Sequence, residues 1–121
     1  MKNEEFNEIF RQRTMAYALA VIEFLETVPV NTATRIMSYQ FGKAGTSVGD
    51  NFRAFCRGRS KNERFAKICI VVEEADESLY WTTLFDKTSY GDREKLAWLA
   101  VEGLEITKIS ASIKDAMYPN N

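Results

Sequence analysis

The sequence predicts an all-α protein that folds as an antiparallel up-and-down four-helix bundle, with residues 1–121 forming a single domain. Apolar residues recur at spacings of three and four along most of the 121 positions, which is the period of an amphipathic helix. Only two prolines occur, Pro29 and Pro119, so helices can run uninterrupted between them. Capping residues and glycines divide the chain into four segments of similar length, and short connections between such segments favour antiparallel neighbours.

The first two helices are predicted at about residues 4–27 and 32–57. In the first, apolar residues at helical spacing form one stripe, and Pro29 stops the helix. Asn31 or Thr32 can cap the second helix, and Gly58 is a natural terminator for it. The apolar stripe of the second helix consists of Met37, Phe41, Ala44, Val48, Phe52 and Phe55.

The last two helices are predicted at about residues 61–87 and 92–117. Ser60 and Glu63 form a capping-box sequence before the third helix. Thr88 to Gly91 reads as a turn, and Asp92 can cap the fourth helix. The apolar positions of this helix follow in heptad spacing up to Met117.

Composition excludes several classes of function. Sixteen basic residues face 17 acidic ones, a net charge of −1 that denies the chain the overall basic field of an obligate nucleic-acid binder. The chain has no histidine, which removes His-based zinc sites and Ser-His-Asp catalysis. We therefore expect no enzyme activity, no catalytic residues and no cofactor. Two cysteines and the lack of a signal sequence or a long apolar span predict a cytoplasmic protein that does not enter a membrane.

A row of small residues follows one face of the second helix, and we call it the small-residue seam. Its members are Ser38, Gly42, Gly45, Gly49 and Cys56. Because glycine costs about 1 kcal/mol in a helix, three in one row indicate a close helix approach. Because the turn at residues 58–60 joins the second and third helices as a hairpin, we expect the seam to pack on the third helix, around Cys69, Glu73 and Asp76. In an oligomer the partner would be a neighbouring chain. The same hairpin sets Cys69 level with Gly49 and not with Cys56. The two cysteines are then too far apart for a disulfide, so we predict two free thiols.

The third helix carries an acidic run of Glu73, Glu74, Asp76 and Glu77. Lys43 lies level with this run in a hairpin, so an ion pair between Lys43 and Glu74 is the first contact to expect. Paired carboxylates can also hold a divalent metal or exchange protons, which leaves a metal hydrolase built on Glu73, Glu74 and Glu77 as an open alternative. The absence of a histidine ligand argues against that alternative, and we predict no metal site.

A cluster of cations surrounds the turn between the second and third helices, and we call it the basic corner. Its members are Arg53, Arg57, Arg59, Lys61, Arg64 and Lys67, and Glu63 is the one acid in that stretch. Three aromatic residues lie between these cations in the sequence: Phe52, Phe55 and Phe65. Their rings could stack on RNA bases, yet the same residues fall on the apolar core stripes of the helices. The basic corner is the candidate nucleic-acid site, and the alternative is a solvated end that meets acidic groups of its own bundle or of a neighbouring chain.

Several motifs together resemble the four-helix bundle proteins encoded in 23S rRNA intervening sequences. The likeness rests on Thr46-Ser47-Val48-Gly49-Asp50-Asn51-Phe52-Arg53-Ala54, on Arg57-Gly58-Arg59-Ser60, and on Glu73-Glu74-Ala75-Asp76-Glu77-Ser78-Leu79-Tyr80-Trp81. Ser47, Asn51 and Glu77 correspond to the family signature, and we expect them, with Glu74, to form a buried polar network between helices. The chain departs from the common pattern at Ala54 and Phe55, where that pattern has Glu and Gly.

The resemblance implies a bacterial bundle, often a ring-like homopentamer, with no established catalytic activity. Our leading hypothesis is a self-associating scaffold or adaptor that binds no small-molecule substrate. The alternative is RNA binding through the basic corner, as in the basic accessory proteins of reverse-transcriptase elements, which look similar.

Overall fold

The computed structural model describes residues 3–117, and within them the chain forms four helices. They are α1 (Asn3–Leu25), α2 (Thr32–Cys56), α3 (Lys61–Asp86) and α4 (Arg93–Ala116). Every helix end lies within two residues of its predicted position. The backbones of α1 and α2, α2 and α3, α3 and α4, and α4 and α1 contact one another, most extensively between α2 and α3 and least between α1 and α4. The predicted antiparallel four-helix bundle is confirmed.

Side-chain caps start three of the helices. Asn31 accepts a hydrogen bond from the Thr34 N–H and the Thr34 hydroxyl accepts one from the Asn31 N–H, a complete capping box for α2. Asp92 caps α4 as predicted. At α3 the Ser60 hydroxyl accepts from the Glu63 N–H, but the Glu63 carboxylate is not seen to return the bond, so only half of the predicted box forms among the described contacts. Of the two candidates for the cap of α2, the capping box identifies Asn31 and not Thr32.

The core is built from the predicted apolar stripes. All six residues of the α2 stripe are buried, and the rings of Phe10, Tyr17 and Phe24 face them from α1. The Tyr17 hydroxyl crosses the core to hydrogen-bond the Ser78 hydroxyl of α3. Burial raises the pKa of Tyr17, so this hydroxyl stays protonated at neutral pH and keeps the bond.

The small-residue seam faces α1, not α3 or a neighbouring chain, which corrects the prediction. A Cβ on Gly45 would lie 2.7 Å from Val21 Cγ2, and one on Gly49 would lie 3.1 Å from Thr14 Oγ1. A Cβ on Gly42 would meet Leu25 at 3.3 Å. Hairpin arithmetic fixes only which residues of α2 and α3 are level, and it leaves open which side of α2 each residue occupies. The predicted reason for the glycines, a close helix approach, is confirmed.

The two ends of the bundle differ in construction. At the end where α1 passes to α2 and α3 passes to α4, the rings of Phe24, Phe41 and Phe85 contact one another with centroids 5.1 to 6.2 Å apart. We call it the closed end. At the opposite end, which we call the open end, α2 turns into α3 at residues 57–60 and the described parts of α1 and α4 begin and finish. The basic corner lies at the open end.

Candidate functional site

The six cations of the basic corner lie more than 4 Å from every carboxylate oxygen of residues 3–117. Five of them are exposed and Lys67 is half-buried. Within residues 3–117 none of the six forms an ion pair, since the ion pairs found there join Arg11 to Glu8 and Arg13 to Glu102. Among the described residues, acidic groups of the same bundle do not pair with these cations, and pairing with acidic groups of a neighbouring copy stays an open alternative. The positive charge remains available to an anionic partner.

Arg64 is the one cation of the corner that lies on an aromatic ring. Its guanidinium carbon is 5.6 Å from the centre of the Phe55 ring, a cation–π distance. Gly58 makes room for this side chain, because a Cβ on Gly58 would collide with the Arg64 Cγ. Gly58 does not have a positive φ, so it does not end α2 in the left-handed conformation common for glycine after a helix. Its role in the turn is to leave space for Arg64.

The aromatic residues of the corner belong to the core. Phe52 and Phe55 are buried, stack on each other with centroids 5.5 Å apart, and Phe65 is half-buried against the same core. The prediction that they serve as core is confirmed, and they do not form an open platform for bases. Any contact with a nucleic acid at this corner would be made by charge.

Within residues 3–117 the signature residues do not form the expected buried network. Ser47 and Asn51 are half-buried, and their side chains donate to carbonyls of their own helix: Ser47 to Lys43 at 2.6 Å and Asn51 to Ser47 at 2.9 Å. Short polar side chains in helices commonly bond the carbonyl one turn back, which satisfies them without an inter-helix partner. Glu77 is exposed and Glu74 half-buried, with no hydrogen bond from either to α2 among the described residues.

The acidic run lies on the surface of α3, with Glu74 turned toward α2. Burial, followed by the neighbouring charge of Glu77, raises the pKa of Glu74, while Lys43 acts to lower it. Lys43 is near enough to influence Glu74, but the predicted ion pair is not formed within 4 Å in the described part of the chain. Across residues 3–117 the structure groups no three Cys, Asp or Glu side chains in a way that could hold a metal ion.

Sequence reasoning missed an exposed apolar face on α1 and α4. Met15, Leu19 and Ile22 are spaced by four and three residues, and each is about half exposed. Ala16 lines both a shallow groove with Met15 and Leu19 and a crevice of about 310 Å³ with Trp98 of α4, so the face continues from α1 to α4. The signal was present in the sequence: from Thr14 to Ile22 no residue is charged, so α1 is apolar on nearly all sides there.

Sequence reasoning also missed a cavity at the open end, because it arises where four helix ends meet. Its volume is about 630 Å³. The side chains that matter for its chemistry are Phe6, Phe55, Ile109, Ile113, Met117 and Arg64. Cys56 is on its wall as a free thiol, and Cys69 is also free, as predicted.

The fold matches a solved structure over nearly its whole length. The two agree with a TM-score of 0.78 at 25% sequence identity, covering 90% of this chain and 97% of the other. The other chain is a protein with unknown function from the S23 ribosomal protein family of Bacteroides thetaiotaomicron. This chain is similar to an S23 family protein.

The S23 similarity confirms the resemblance that the sequence motifs predicted, and it covers the helices on both sides of those motifs. No family model matches the chain, and no curated protein sequence does. Over residues 3–117 no helix is both long and apolar enough to cross a bilayer.

Proposed function

We propose that this protein is a non-enzymatic bundle that associates with copies of itself and serves as a scaffold or adaptor in the bacterial cytoplasm. The exposed apolar face on α1 and α4 is the observation that carries the proposal. A pentameric ring is the assembly that the family resemblance implies. Two free cysteines suit a compartment in which thiols stay reduced.

The apolar face has the composition of an interface. Leu19 is 54% exposed, Trp98 49% and Val101 69%, and a contiguous patch of this kind in a soluble chain commonly marks a protein contact. Burying such side chains contributes about 25 cal/mol per Å² of apolar area removed from water. Polar residues border the patch, Glu8 and Gln12 on one side and Arg53 on another, as at the rim of an interface.

Light scattering coupled to gel filtration tests the proposal. We expect the wild-type chain at micromolar concentration to have a mass several times 13.9 kDa. The double variant Met15→Lys with Leu19→Lys places two charges in the apolar face and should shift the protein to monomer while its helical circular dichroism is retained.

The matched control is Val30→Lys, which adds a charge at a residue 76% exposed in the connection between α1 and α2. It should leave the mass unchanged. A monomeric wild-type chain would overturn self-association, and an assembled double variant would show that another surface is responsible.

A second candidate function is RNA binding through the basic corner. The lack of ion pairs to its six cations within residues 3–117 favours this function. Cations that are not neutralised locally release counterions when they meet phosphates, which gives a salt-dependent affinity. Self-association would strengthen the binding, since several copies of a weak patch act together on one RNA.

Fluorescence anisotropy of a structured RNA at about 50 and 200 mM salt tests this second function. We expect binding that weakens steeply with salt, and a loss of most of it in the variant with Arg57, Arg59 and Arg64 all changed to Ala. The control changes Arg35, an exposed cation near the start of α2, to Ala. Equal binding by the triple variant and the wild type would rule out the basic corner.

A further inference from the structure

The cavity at the open end has an unusual combination of linings. Most of its wall is apolar, from Phe6 on α1, Phe55 on α2, and Ile109 and Ile113 on α4. Arg64 is the only charged side chain among its described lining residues, and it has no carboxylate partner there. The remaining polar groups in the described lining are neutral amides, a hydroxyl and the Cys56 thiol.

The volume of about 630 Å³ falls in the range of roughly 300 to 1,000 Å³ typical of small-molecule sites. Such sites combine apolar walls with a few polar groups that fix the orientation of the ligand. A macromolecule is the poorer fit, since the apolar side chains that line this space lie inside the bundle end and not on a flat surface.

Arg64 is held at the cavity in a defined position. Its stem passes over Gly58, whose missing side chain leaves the path clear, and its guanidinium lies 5.6 Å from the centre of the Phe55 ring. A guanidinium presents five N–H donors in a fixed fork, which matches a carboxylate or a phosphate with two parallel hydrogen bonds. Arg64 has no counter-charge in the described lining, and it lies beside an apolar wall. A ligand that matches both features is an anion with an apolar part.

We propose that this cavity binds a small aliphatic carboxylate, with the carboxylate paired to Arg64 and the hydrocarbon tail packed among Phe6, Ile109 and Ile113. The occupant is an amphipathic anion because Arg64 is the one charged side chain of the described lining, while most of the wall is apolar and its other polar groups are neutral. This site is distinct from the apolar face on α1 and α4, and its ligand is not part of the scaffold proposal.

Isothermal titration calorimetry of the full-length protein with dodecanoate, kept below the concentration at which it forms micelles, tests the proposal. We expect one ligand per chain. Two comparison ligands separate the parts of the site: acetate has the head group without the tail, and dodecyltrimethylammonium has the tail with the opposite charge. Neither should bind measurably.

Three variants locate the site. Arg64→Gln should weaken dodecanoate binding about tenfold or more, the effect of losing hydrogen bonds to a charged group. Ser112→Phe introduces a ring at an exposed position of the cavity lining and should weaken binding to a similar extent by filling the space. Lys61→Gln removes an exposed cation of the same corner that does not line the cavity, and it should bind dodecanoate as the wild type does.

Several results would overturn the proposal. The absence of binding by the folded wild-type protein would mean that the cavity does not take an aliphatic carboxylate. Equal weakening by Arg64→Gln and Lys61→Gln would assign the effect to the general charge of the corner. Binding of dodecyltrimethylammonium as tight as that of dodecanoate would mean that the charge has no role. None of these outcomes bears on self-association, which light scattering measures separately.

Discussion

The closed end and the open end of this bundle differ in how completely their outermost aromatic rings are buried. At the closed end Phe24, Phe41 and Phe85 are fully buried, and Gly91 brings the connection before α4 onto Phe24. At the open end Phe6 is half-buried and lines a cavity. Two connections must be anchored at the closed end, where the Asp92 N–H also donates to the Thr27 hydroxyl. The proposed binding site thus lies at the end with the less complete packing, as expected if binding sites are drawn from less stable regions.

The largest effect should come from removing one ring at each end. Phe24→Ala leaves a cavity in a fully packed cluster and should lower the free energy of unfolding by about 3–5 kcal/mol. Phe6→Ala should cost only about 1–2 kcal/mol, because that ring already faces a cavity and loses less buried area. Urea unfolding at one protein concentration measures both, and equal losses would mean that the open end is packed as tightly as the closed end.

The next largest effect should come from the two turn glycines. Gly91 has a φ of 81°, and a Cβ there would lie 2.6 Å from a ring carbon of Phe24, so Gly91→Ala should cost about 2 kcal/mol or more. Gly58→Ala keeps an ordinary φ, but its Cβ would collide with the Arg64 Cγ and lie 3.3 Å from the Arg64 Cα, so we expect a smaller loss than at Gly91, about 1 kcal/mol.

The midpoints of urea unfolding for the two alanine variants provide the comparison. A loss at Gly58 as large as that at Gly91 would contradict the view that the open end tolerates rearrangement. Gly58→Ala should also weaken dodecanoate binding, because it moves Arg64 without removing its charge.

The smallest effect concerns Glu74, which lies between the two ends. Burial raises its pKa in the folded protein above the ordinary value of a glutamate, so the folded state holds this proton more tightly than the unfolded state does. The stability that this group contributes is therefore fully present below its unfolded-state pKa, and it is lost as the pH rises through the folded-state pKa. Glu74→Gln should flatten the pH profile in that window and stabilise the protein at pH 7.

The gain at pH 7 should be only a few tenths of a kcal/mol, since Glu74 is largely in contact with solvent and its charge is screened. Thermal unfolding between pH 4 and pH 8 measures the profile. Asp76→Asn, which removes an exposed carboxylate of the same run, is the control and should leave the shape of the profile unchanged. A Glu74→Gln profile that matched the wild type would show that this carboxylate is not affected by its burial.

Much of the fold was predictable because it follows from the period of apolar residues along each helix. The α2 stripe illustrates this: its period alone placed every member in the core. The direction of the small-residue seam was not predictable, since period does not say which neighbouring helix a face meets. Ser47 and Asn51 were expected to bond across helices, but a side chain one turn from a carbonyl of its own helix needs no partner elsewhere.

The candidate site divides in the same way. The cations of the basic corner were found from the sequence because they are close together in the chain. The cavity was not found, because Phe6, Phe55 and Ile113 are distant in sequence and meet only where the helix ends converge. The orientation of Arg64 depends on the absence of one methyl group at Gly58, a steric detail that composition does not contain.

The contact between Gly45 and Val21 has a consequence for assembly geometry. A helix lodged against a groove without side chains cannot turn about its own axis or slide without a collision, so α1 presents Leu19 in one direction only. Every copy that docks on this face is then added with the same rotation. When that rotation divides a full circle evenly, a head-to-tail array closes on itself, and when it does not, the array grows into a filament. In the self-association that we propose, the three glycines on α2 would thus help to fix the angle between neighbouring copies.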